Sequence, residues 1–335
     1  TLKGLVLDYR TNGGGVMQEA VDIASLFVPR GEQIVSIMGR DSSSLTHYTT
    51  RYAPIAENIP IVVLVSGSSA SASEILAGAL QDLDRAVVMG SRTYGKGLVQ
   101  GTRHLGYNTY LKYTTAKYYI PSGRCIQSRN YSSMRSEGTI TNVPDSLISE
   151  FSTRGGRRVY DGGGIVPDIK IEPDYVSRFA IALYAQGYIE DWSDEYMRKH
   201  HNERIDIEHF SITEDDYLDF CRFIADKDVP YESETRKALK ALESAAEKEL
   251  YDEYMGEALE SLKSLIRDDK MSNMQTYKRD IVEAINADII LRYAYNSGVL
   301  QHAAANDEEV AQAVELLLDG DEYKRILSEQ HLDKH

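Results

Sequence analysis

Strand-like and helix-like segments alternate over the first 90 residues, and this alternation constrains the fold more than any other feature. The strand-like segments are short apolar runs, at Leu5–Tyr9, Gln33–Met38, Ile59–Ser66 and Ala86–Met89. The helix-like segments repeat apolar residues every three or four positions, at Met17–Phe27 and Ala72–Leu83. Because such alternation is typical of layered α/β folds, the sequence predicts an α/β core.

The pattern changes twice beyond residue 100. Thr, Tyr and Lys alternate between Gly101 and Ile120 as in a β-hairpin, and glycine-rich turns then lead to a last short strand at Asp168–Ile171. After Pro173 amphipathic helical patterns dominate, at Val176–Tyr188, Glu214–Ala225, Glu232–Leu265, Met274–Asn296 and Glu308–Leu318. We therefore predict an α/β core over residues 1–173 and an all-α C-terminal domain over residues 174–335.

The net negative charge of the chain comes from its second half. The net charge is −15; residues 1–174 carry 18 Lys and Arg against 16 Asp and Glu, and residues 175–335 carry 19 against 36. Nucleic-acid binding needs clustered positive charge, so we expect no nucleic-acid partner. No apolar run approaches the roughly 20 residues of a membrane span, so we expect no integral membrane protein. Cys125 and Cys221 are too few for a disulfide scaffold.

Ser71 follows a run of small residues that leads from a predicted strand into a predicted helix. With Glu74 three residues later it forms an S-x-x-E pattern, and taken alone this serine is best interpreted as a helix N-cap. The position also favours catalysis, because the free N–H groups and the dipole of a helix start stabilise developing negative charge. We expect the Ala72 N–H to be one donor of an oxyanion hole and Gly13–Gly15, after the first strand, to supply the second, although taken alone these glycines fit a simple turn equally well.

Lys96, between Gly95 and Gly97, is the strongest candidate for the base that a nucleophilic serine needs. A lysine acts as a base only when it is neutral, and burial in an apolar pocket favours that form. Gln100 can orient the amine by hydrogen bonding without adding a negative charge. Taken alone, a lysine in a glycine-rich turn is more often solvated or in contact with phosphate, but the phosphate-loop pattern G-x-x-x-x-G-K-[ST] is absent.

Three ordered motifs, Leu5–Gly15, Ser69–Asp82 and Thr93–Gln100, closely resemble the carboxyl-terminal processing (tail-specific) proteases, which are S41-type serine peptidases. Tyr119–Gln127 and Asp161–Ile169 are similar to the same family, so the resemblance covers about residues 1–173. It implies a crotonase/ClpP-like α/β core. It also implies catalytic roles for Ser71, Lys96 and Gln100, and an oxyanion hole at Ala72, Gly14 and Gly15.

The resemblance further implies a serine endopeptidase that cleaves protein or peptide substrates near apolar C-terminal tails through an acyl-enzyme, without a metal or cofactor. It implies export, to the bacterial periplasm or cell envelope. The family carries a PDZ domain and further core segments before the first motif, and we expect these to be missing from this chain. The acidic helical half matches no motif of the family, and we expect it to tether substrates or to form a homo-oligomer.

Two other functions stay open. A non-catalytic peptide- or ligand-binding module could use the same fold, although intact Ser71, Lys96 and Gln100 argue against it. A Ser/His/Asp hydrolase would need His47 or His104, the only histidines before the helical half. Neither histidine lies in a recognisable motif, and the serine does not lie in a G-x-S-x-G elbow.

Overall fold

The computed structural model describes residues 2–130, 141–172, 176–201, 203–266 and 269–328. The chain forms two compact units, one of Thr1–Pro173 with Glu308–His335 and the other of Asp174–Asp307. The prediction of one helical domain over residues 174–335 is therefore wrong at its carboxyl end, because the last two described helices belong to the α/β unit. The predicted boundary between residues 173 and 174 lies outside the described residues.

The strands of the described residues all lie in the first unit. In chain order they are β1 (Leu5–Asp8), β2 (Gln33–Met38), β3 (Thr46–Thr49), β4 (Ile61–Val65), β5 (Val87–Gly90), β6 (Leu98–Gly106), β7 (Thr109–Tyr119), β8 (Arg129–Asn130), β9 (Thr141–Asn142), β10 (Glu150–Ser152), β11 (Arg158–Tyr160) and β12 (Ile169–Lys170).

The helices of the described residues lie in both units. In chain order they are α1 (Met17–Ala24), α2 (Ala72–Asp82), α3 (Arg178–Ala185), α4 (Tyr188–His200), α5 (Glu214–Ile224), α6 (Glu234–Lys248), α7 (Asp252–Leu265), α8 (Lys270–Thr276), α9 (Lys278–Asn306), α10 (Glu308–Leu318) and α11 (Gly320–Ser328). None of them is both long and apolar enough to cross a bilayer.

A parallel sheet of order β1-β4-β5-β12 forms the centre of the first unit. On one face, Val63 and Val65 pack in a core cluster with α1 and α2. On the other face, Val62 and Leu64 pack against α10 and α11. Parallel sheets are covered on both faces, and the α/β segment supplies helices for only one of them, which explains why the last two helices return to this sheet.

An antiparallel sheet of order β3-β2-β7-β6 contributes Ile34, Val35 and Tyr118 to the same core cluster as α2. The predicted hairpin is confirmed in β6 and β7, and its turn places Tyr107 and Asn108 at φ 48° and 57°. Two consecutive residues at positive φ are typical of a type I′ hairpin turn. The sequence analysis missed the edge strand β3. Every residue of α2 is buried.

The second unit is helical, and its core contains Phe179, Trp192 and Phe220. The predicted helix Glu232–Leu265 is two helices, α6 and α7, separated at Leu250, whose φ is 61°. The pattern ending at Tyr188 continues as a separate helix, α4, after Gly187. Apolar residues recur at three- and four-residue spacing on both sides of each break. The sequence pattern alone therefore does not reveal where one helix stops and the next begins.

Candidate active site

Ser71 forms the turn between β4 and α2 with an unusual backbone conformation, φ 58° and ψ −117°. These angles match the first central position of a type II′ turn, which glycine normally occupies. A non-glycine residue held there stores about 1–3 kcal/mol of strain, and such strain clusters at active sites. The geometry is that of a nucleophile elbow without its glycines, because the buried Ser69 and Ser73 take the two glycine positions.

Glu74 connects the serine turn to the lysine loop. Its Oε2 accepts the N–H groups of Ser71 at 2.9 Å and of Lys96 at 2.8 Å. Its Oε1 accepts the Thr93 hydroxyl at 2.5 Å and the Gly95 N–H at 2.7 Å. Burial raises the pKa of the Glu74 carboxyl, and these four hydrogen bonds oppose that shift. The S-x-x-E pattern identified Glu74 as a capping residue but did not predict its bonds to the lysine loop. Complete burial of its carboxylate is the structural sign that it has further partners.

Lys96 and Gln100 border one cavity of about 70 Å³, which Ser71 does not line. Lys96 is exposed, so the apolar pocket expected around it is not formed by the described residues. Among those residues, no hydrogen bond joins Lys96 Nζ to Ser71 Oγ or to the Gln100 side chain. The structure therefore brings the Lys96 backbone to Ser71 through Glu74 without joining the two side chains.

Gln127 fixes the far end of the lysine loop. Its Oε1 accepts the Gly97 N–H at 2.9 Å. A Cβ at Gly97 would lie 2.6 Å from the Gln127 backbone nitrogen, so this close approach requires a glycine. The sequence analysis assigned no role to Gln127, although the residue lies in a segment that resembles the protease family.

Gly14 lies directly against the serine turn. Its φ is +98°, and a Cβ at this position would lie 2.7 Å from Ser71 Cβ and 3.0 Å from the Ala72 nitrogen. Ala72 begins α2, so its N–H has no intrahelical acceptor. The Gly14 N–H is already used, because it donates to Asn12 Oδ1 at 2.9 Å. A Cβ at Gly15 would contact nothing within 4 Å. The structure therefore brings Gly14, but not a free Gly14 N–H, to the predicted oxyanion region.

The two candidate histidines are engaged away from Ser71. His47 Nδ1 lies 2.8 Å from Ser36 Oγ, across the pair of β2 and β3. His104 packs edge-to-face on Tyr110 with ring centroids 5.0 Å apart, near the tip of the hairpin. The structure gives no support to a Ser/His/Asp arrangement at this serine. Within the described ranges, no three His, Cys, Asp or Glu side chains cluster as metal ligands would.

A charged network holds the opposite end of α2. Arg124 donates to Gln81 at 2.7 Å and to Asp82 at 2.8 Å. Arg157 donates to Asp84 at 2.7 Å and to Asp168 at 2.5 Å. Both guanidinium side chains are only 1% exposed. The segments around residues 119–127 and 161–169 thus meet at the carboxyl end of α2, where they anchor the helix that begins at Ser71.

Comparison with known proteins identifies two regions of the chain. Residues 1–132 match the model of "Peptidase family S41", and residues 179–317 match the model described as "Probable PDZ-protease, C-terminal helical domain". The second match covers the helical region, for which no motif in the sequence showed a resemblance.

Two curated relatives cover the first region. A carboxy-terminal-processing protease of Bartonella bacilliformis is 47% identical over 126 residues, which are 38% of this chain and 29% of that protein. A protein of Staphylococcus aureus described as "Probable CtpA-like serine protease" is 40% identical over 129 residues, which are 38% of this chain and 26% of that protein. The chain thus matches less than a third of the length of either relative.

Among solved structures, the photosystem II D1 C-terminal processing protease matches with 32% identity and a TM-score of 0.39, over 52% of this chain and 36% of that chain. The resemblance that the motifs predicted is confirmed by the family match and the curated relatives. Residues 1–132 of this chain are therefore similar to peptidase family S41.

Proposed function

We propose that the chain is a serine endopeptidase in which Ser71 is the nucleophile and Lys96 the base. The observation that carries this proposal is the strained serine at the start of α2, which shares the Glu74 carboxylate with the lysine loop. Strain of this kind persists only where the surrounding structure enforces it. The sequence relatives, described as a carboxy-terminal-processing protease and a CtpA-like serine protease, support the same class of reaction.

The proposed reaction proceeds through an acyl-enzyme. Neutral Lys96 takes the proton of the Ser71 hydroxyl, and Oγ attacks the scissile carbonyl carbon. The Ala72 N–H stabilises the resulting oxyanion, with a second donor from the loop of Gly14 and Gly15. The amine product leaves with a proton from Lys96, and an acyl-enzyme forms. A water molecule then attacks the ester with Lys96 as base, which releases the acid product and restores the serine.

Two local changes complete the site in this proposal. The Lys96 side chain turns toward Ser71, and the bound substrate covers it, which removes the exposed amine from water and favours its neutral form. Gln100, which borders the same cavity, orients the amine. The loop at Gly14 releases its N–H from Asn12 and presents it, or the Gly15 N–H, to the oxyanion. Catalytic hydrogen bonds commonly tighten only when substrate binds.

We propose protein or peptide substrates cleaved near apolar C-terminal tails, as the description of the Bartonella relative as carboxy-terminal-processing suggests. We also propose that the protein acts outside the cytoplasm, in the periplasm or cell envelope, which fractionation of the expressing bacterium would test. Exposed apolar residues of the second unit, including Leu250 and Tyr254, are consistent with a homo-oligomer. Sedimentation of the wild-type chain and of a Leu250→Ser, Tyr254→Ser variant would test this association.

Single substitutions test the catalytic pair. Ser71→Ala and Lys96→Ala should each lower kcat/KM for a peptide with an apolar C-terminus by at least about 1,000-fold, because neither residue of a catalytic pair acts alone. Lys117→Ala, an exposed lysine on β7, is the matched control and should change it less than about twofold. Full activity of either Ser71→Ala or Lys96→Ala contradicts the proposal.

A non-catalytic peptide-binding module is the competing function. It would bind the same peptides, but neither the wild-type chain nor the Ser71→Ala variant would cleave them. The observation against it is the strain at Ser71, because a binding surface gains nothing from holding a serine at positive φ. Mass spectrometry of the peptide after incubation with the full chain separates the two functions directly.

A further inference from the structure

A second cavity, of about 240 Å³, lies beside the lysine loop, and two arginines, Arg92 and Arg129, are among the residues that line it. Tyr94 and Arg129 line this cavity and also the smaller one that contains Lys96. The two cavities therefore adjoin. We call the larger one the arginine cavity.

Neither arginine of this cavity is neutralised by the described residues. No Asp or Glu is among the residues that line it, and no described carboxylate pairs with either guanidinium. Asp161 is close to the lining in sequence, but its carboxylate accepts the Ser149 N–H at 2.7 Å. The arginine cavity is therefore a concentration of positive charge in a chain whose net charge is −15.

The two guanidinium groups are held by their surroundings. Arg92 Nη1 lies 2.5 Å from the position that a Cβ on Gly163 would take, so the group rests directly on that glycine. Arg129 Cζ lies 5.8 Å from the centroid of the Tyr94 ring, within the range of a cation–π contact. Contacts of this kind reduce the rotamer freedom that an arginine loses when it binds an anion.

Two apolar residues, Val143 and Ile148, also line the arginine cavity. Its volume is below the roughly 300 Å³ at which pockets for drug-sized ligands begin. The cavity therefore suits one residue of a peptide, with an apolar side chain against Val143 and Ile148 and an anionic group on the arginines.

We propose that the arginine cavity binds a carboxylate of the peptide substrate through Arg92 and Arg129. Guanidinium groups bind carboxylates with two parallel hydrogen bonds, which makes them selective for this group. The inference rests on the proposed function, because it takes the ligand to be the peptide whose backbone reaches Lys96. Since Tyr94 lines both cavities and is only two residues from Lys96, the bond cleaved lies within a few residues of this carboxylate.

The carboxylate can come from the free C-terminus of the peptide or from an Asp or Glu side chain. We commit to the free C-terminus as the expected source, because a cavity of about 240 Å³ holds about one residue and a chain that ends there needs no room beyond it. Both sources share the same chemistry, and peptides that carry one or the other tell them apart.

Binding to the full chain with Ser71→Ala tests the proposal without any cleavage. Three peptides of one sequence, labelled with fluorescein at the N-terminus and ending in leucine, are compared by fluorescence anisotropy. The first has a free C-terminal carboxylate, the second is amidated, and the third is amidated with glutamate in place of the leucine. We expect the free acid to bind about tenfold more tightly than the plain amide, and the difference to shrink at high salt.

Charge-removing variants assign this difference to the arginines. Arg92→Gln with Arg129→Gln should abolish the preference for the acid, and Arg92→Lys should keep only part of it, because lysine lacks the planar fork. Arg30→Gln removes an exposed arginine that lines neither cavity and should keep the full preference. An arginine-dependent preference for the glutamate peptide alone would support the carboxylate site and identify a side chain as its source.

Equal binding of the acid and both amides, or a preference that survives the double variant, overturns the proposal. So does a failure of all three peptides to bind. The proposed function has a separate outcome: if the arginine-dependent preference is present but the wild-type chain cleaves none of the peptides, the arginine cavity stands and the endopeptidase proposal falls.

Discussion

The buried polar groups at the two ends of α2 are satisfied in different ways. Every residue of this helix is buried, so each end must satisfy its polar groups without water. At the carboxyl end, Arg124 and Arg157 pair with buried carboxylates. At the amino end, one carboxylate, Glu74, accepts four hydrogen bonds from neutral donors.

The carboxyl end of α2 belongs to the structural framework, whereas the amino end carries the proposed nucleophile. Burial disfavours the charge of Arg157, but the attraction of Asp168 and Asp84 outweighs it and raises the pKa of the guanidinium above its ordinary value. The carboxyl end is therefore held by buried ion pairs, and removing one partner of such a pair is strongly destabilising. The amino end is held by individually modest hydrogen bonds, which fix the backbone at Ser71 and do not engage the Lys96 side chain.

The largest expected effect is at the carboxyl end. Arg157→Ala leaves the carboxylates of Asp84 and Asp168 without their cation, so the free energy of unfolding should fall by about 3–5 kcal/mol in urea denaturation. Arg158→Ala, which removes a neighbouring exposed side chain paired loosely with Glu150, should cost less than about 0.5 kcal/mol. Equal losses in the two variants would mean that the network does not anchor α2.

The next largest effect is expected from Glu74→Gln at the amino end. The amide group of glutamine must place an N–H donor against N–H donors, so the free energy of unfolding should fall by about 2 kcal/mol. Peptide cleavage should fall further than stability alone explains, because the Lys96 loop loses its attachment to Ser71. Glu172→Gln, at an exposed glutamate, is the control. Cleavage at the wild-type rate in Glu74→Gln would show that this attachment is not needed.

Gly14→Ala tests the contact between the glycine loop and the serine turn. The new methyl group would lie within 3 Å of Ser71 Cβ at a backbone angle that alanine disfavours, so we expect a loss of about 2 kcal/mol and of peptide cleavage. Gly13→Ala adds the same methyl where nothing lies within 4 Å and should be tolerated. Thermal unfolding and cleavage of both variants check the contrast; similar behaviour would remove the loop from the site.

The smallest expected effect is the difference in stability between two substitutions at Ser71, which tests for backbone strain at this residue. Ser71→Gly and Ser71→Ala both remove the hydroxyl, but only glycine accepts φ 58° without strain. The glycine variant should therefore be more stable than the alanine variant by about 1 kcal/mol in urea denaturation, while neither cleaves peptide. A more stable alanine variant would indicate that the backbone at residue 71 relaxes once the serine is gone.

Much of the first unit was predictable, because its apolar runs and turns match the strands β1, β2, β4 and β5 and the helices α1 and α2. The edge strand β3 was missed because polar residues dominate Thr46–Thr49 and an exposed edge strand carries little apolar signal. The capping pattern located Glu74 but not its bonds to Gly95 and Lys96, since no local pattern encodes a contact across 22 residues of sequence.

The return of α10 and α11 to the parallel sheet was also beyond the local pattern. Their apolar faces look like those of the other helices, and only the open second face of the sheet determines where they pack. The contacts of Tyr323 were not predictable from the local pattern either. Its hydroxyl accepts the Ile61 N–H and donates to the Ile61 carbonyl, both at 2.9 Å.

By itself, the sequence determined the α/β alternation, the position of Ser71 at a helix start and the glycines that flank Lys96, because these depend on neighbours within a few residues. The tertiary structure decided what those residues do to one another. It placed Gly14 against Ser71, used Glu74 to join the serine turn to the lysine loop, and left the Lys96 amine exposed. Burial and long-range hydrogen bonds exist only after the chain has folded, so they set the strain at Ser71 and the charges that hold its helix.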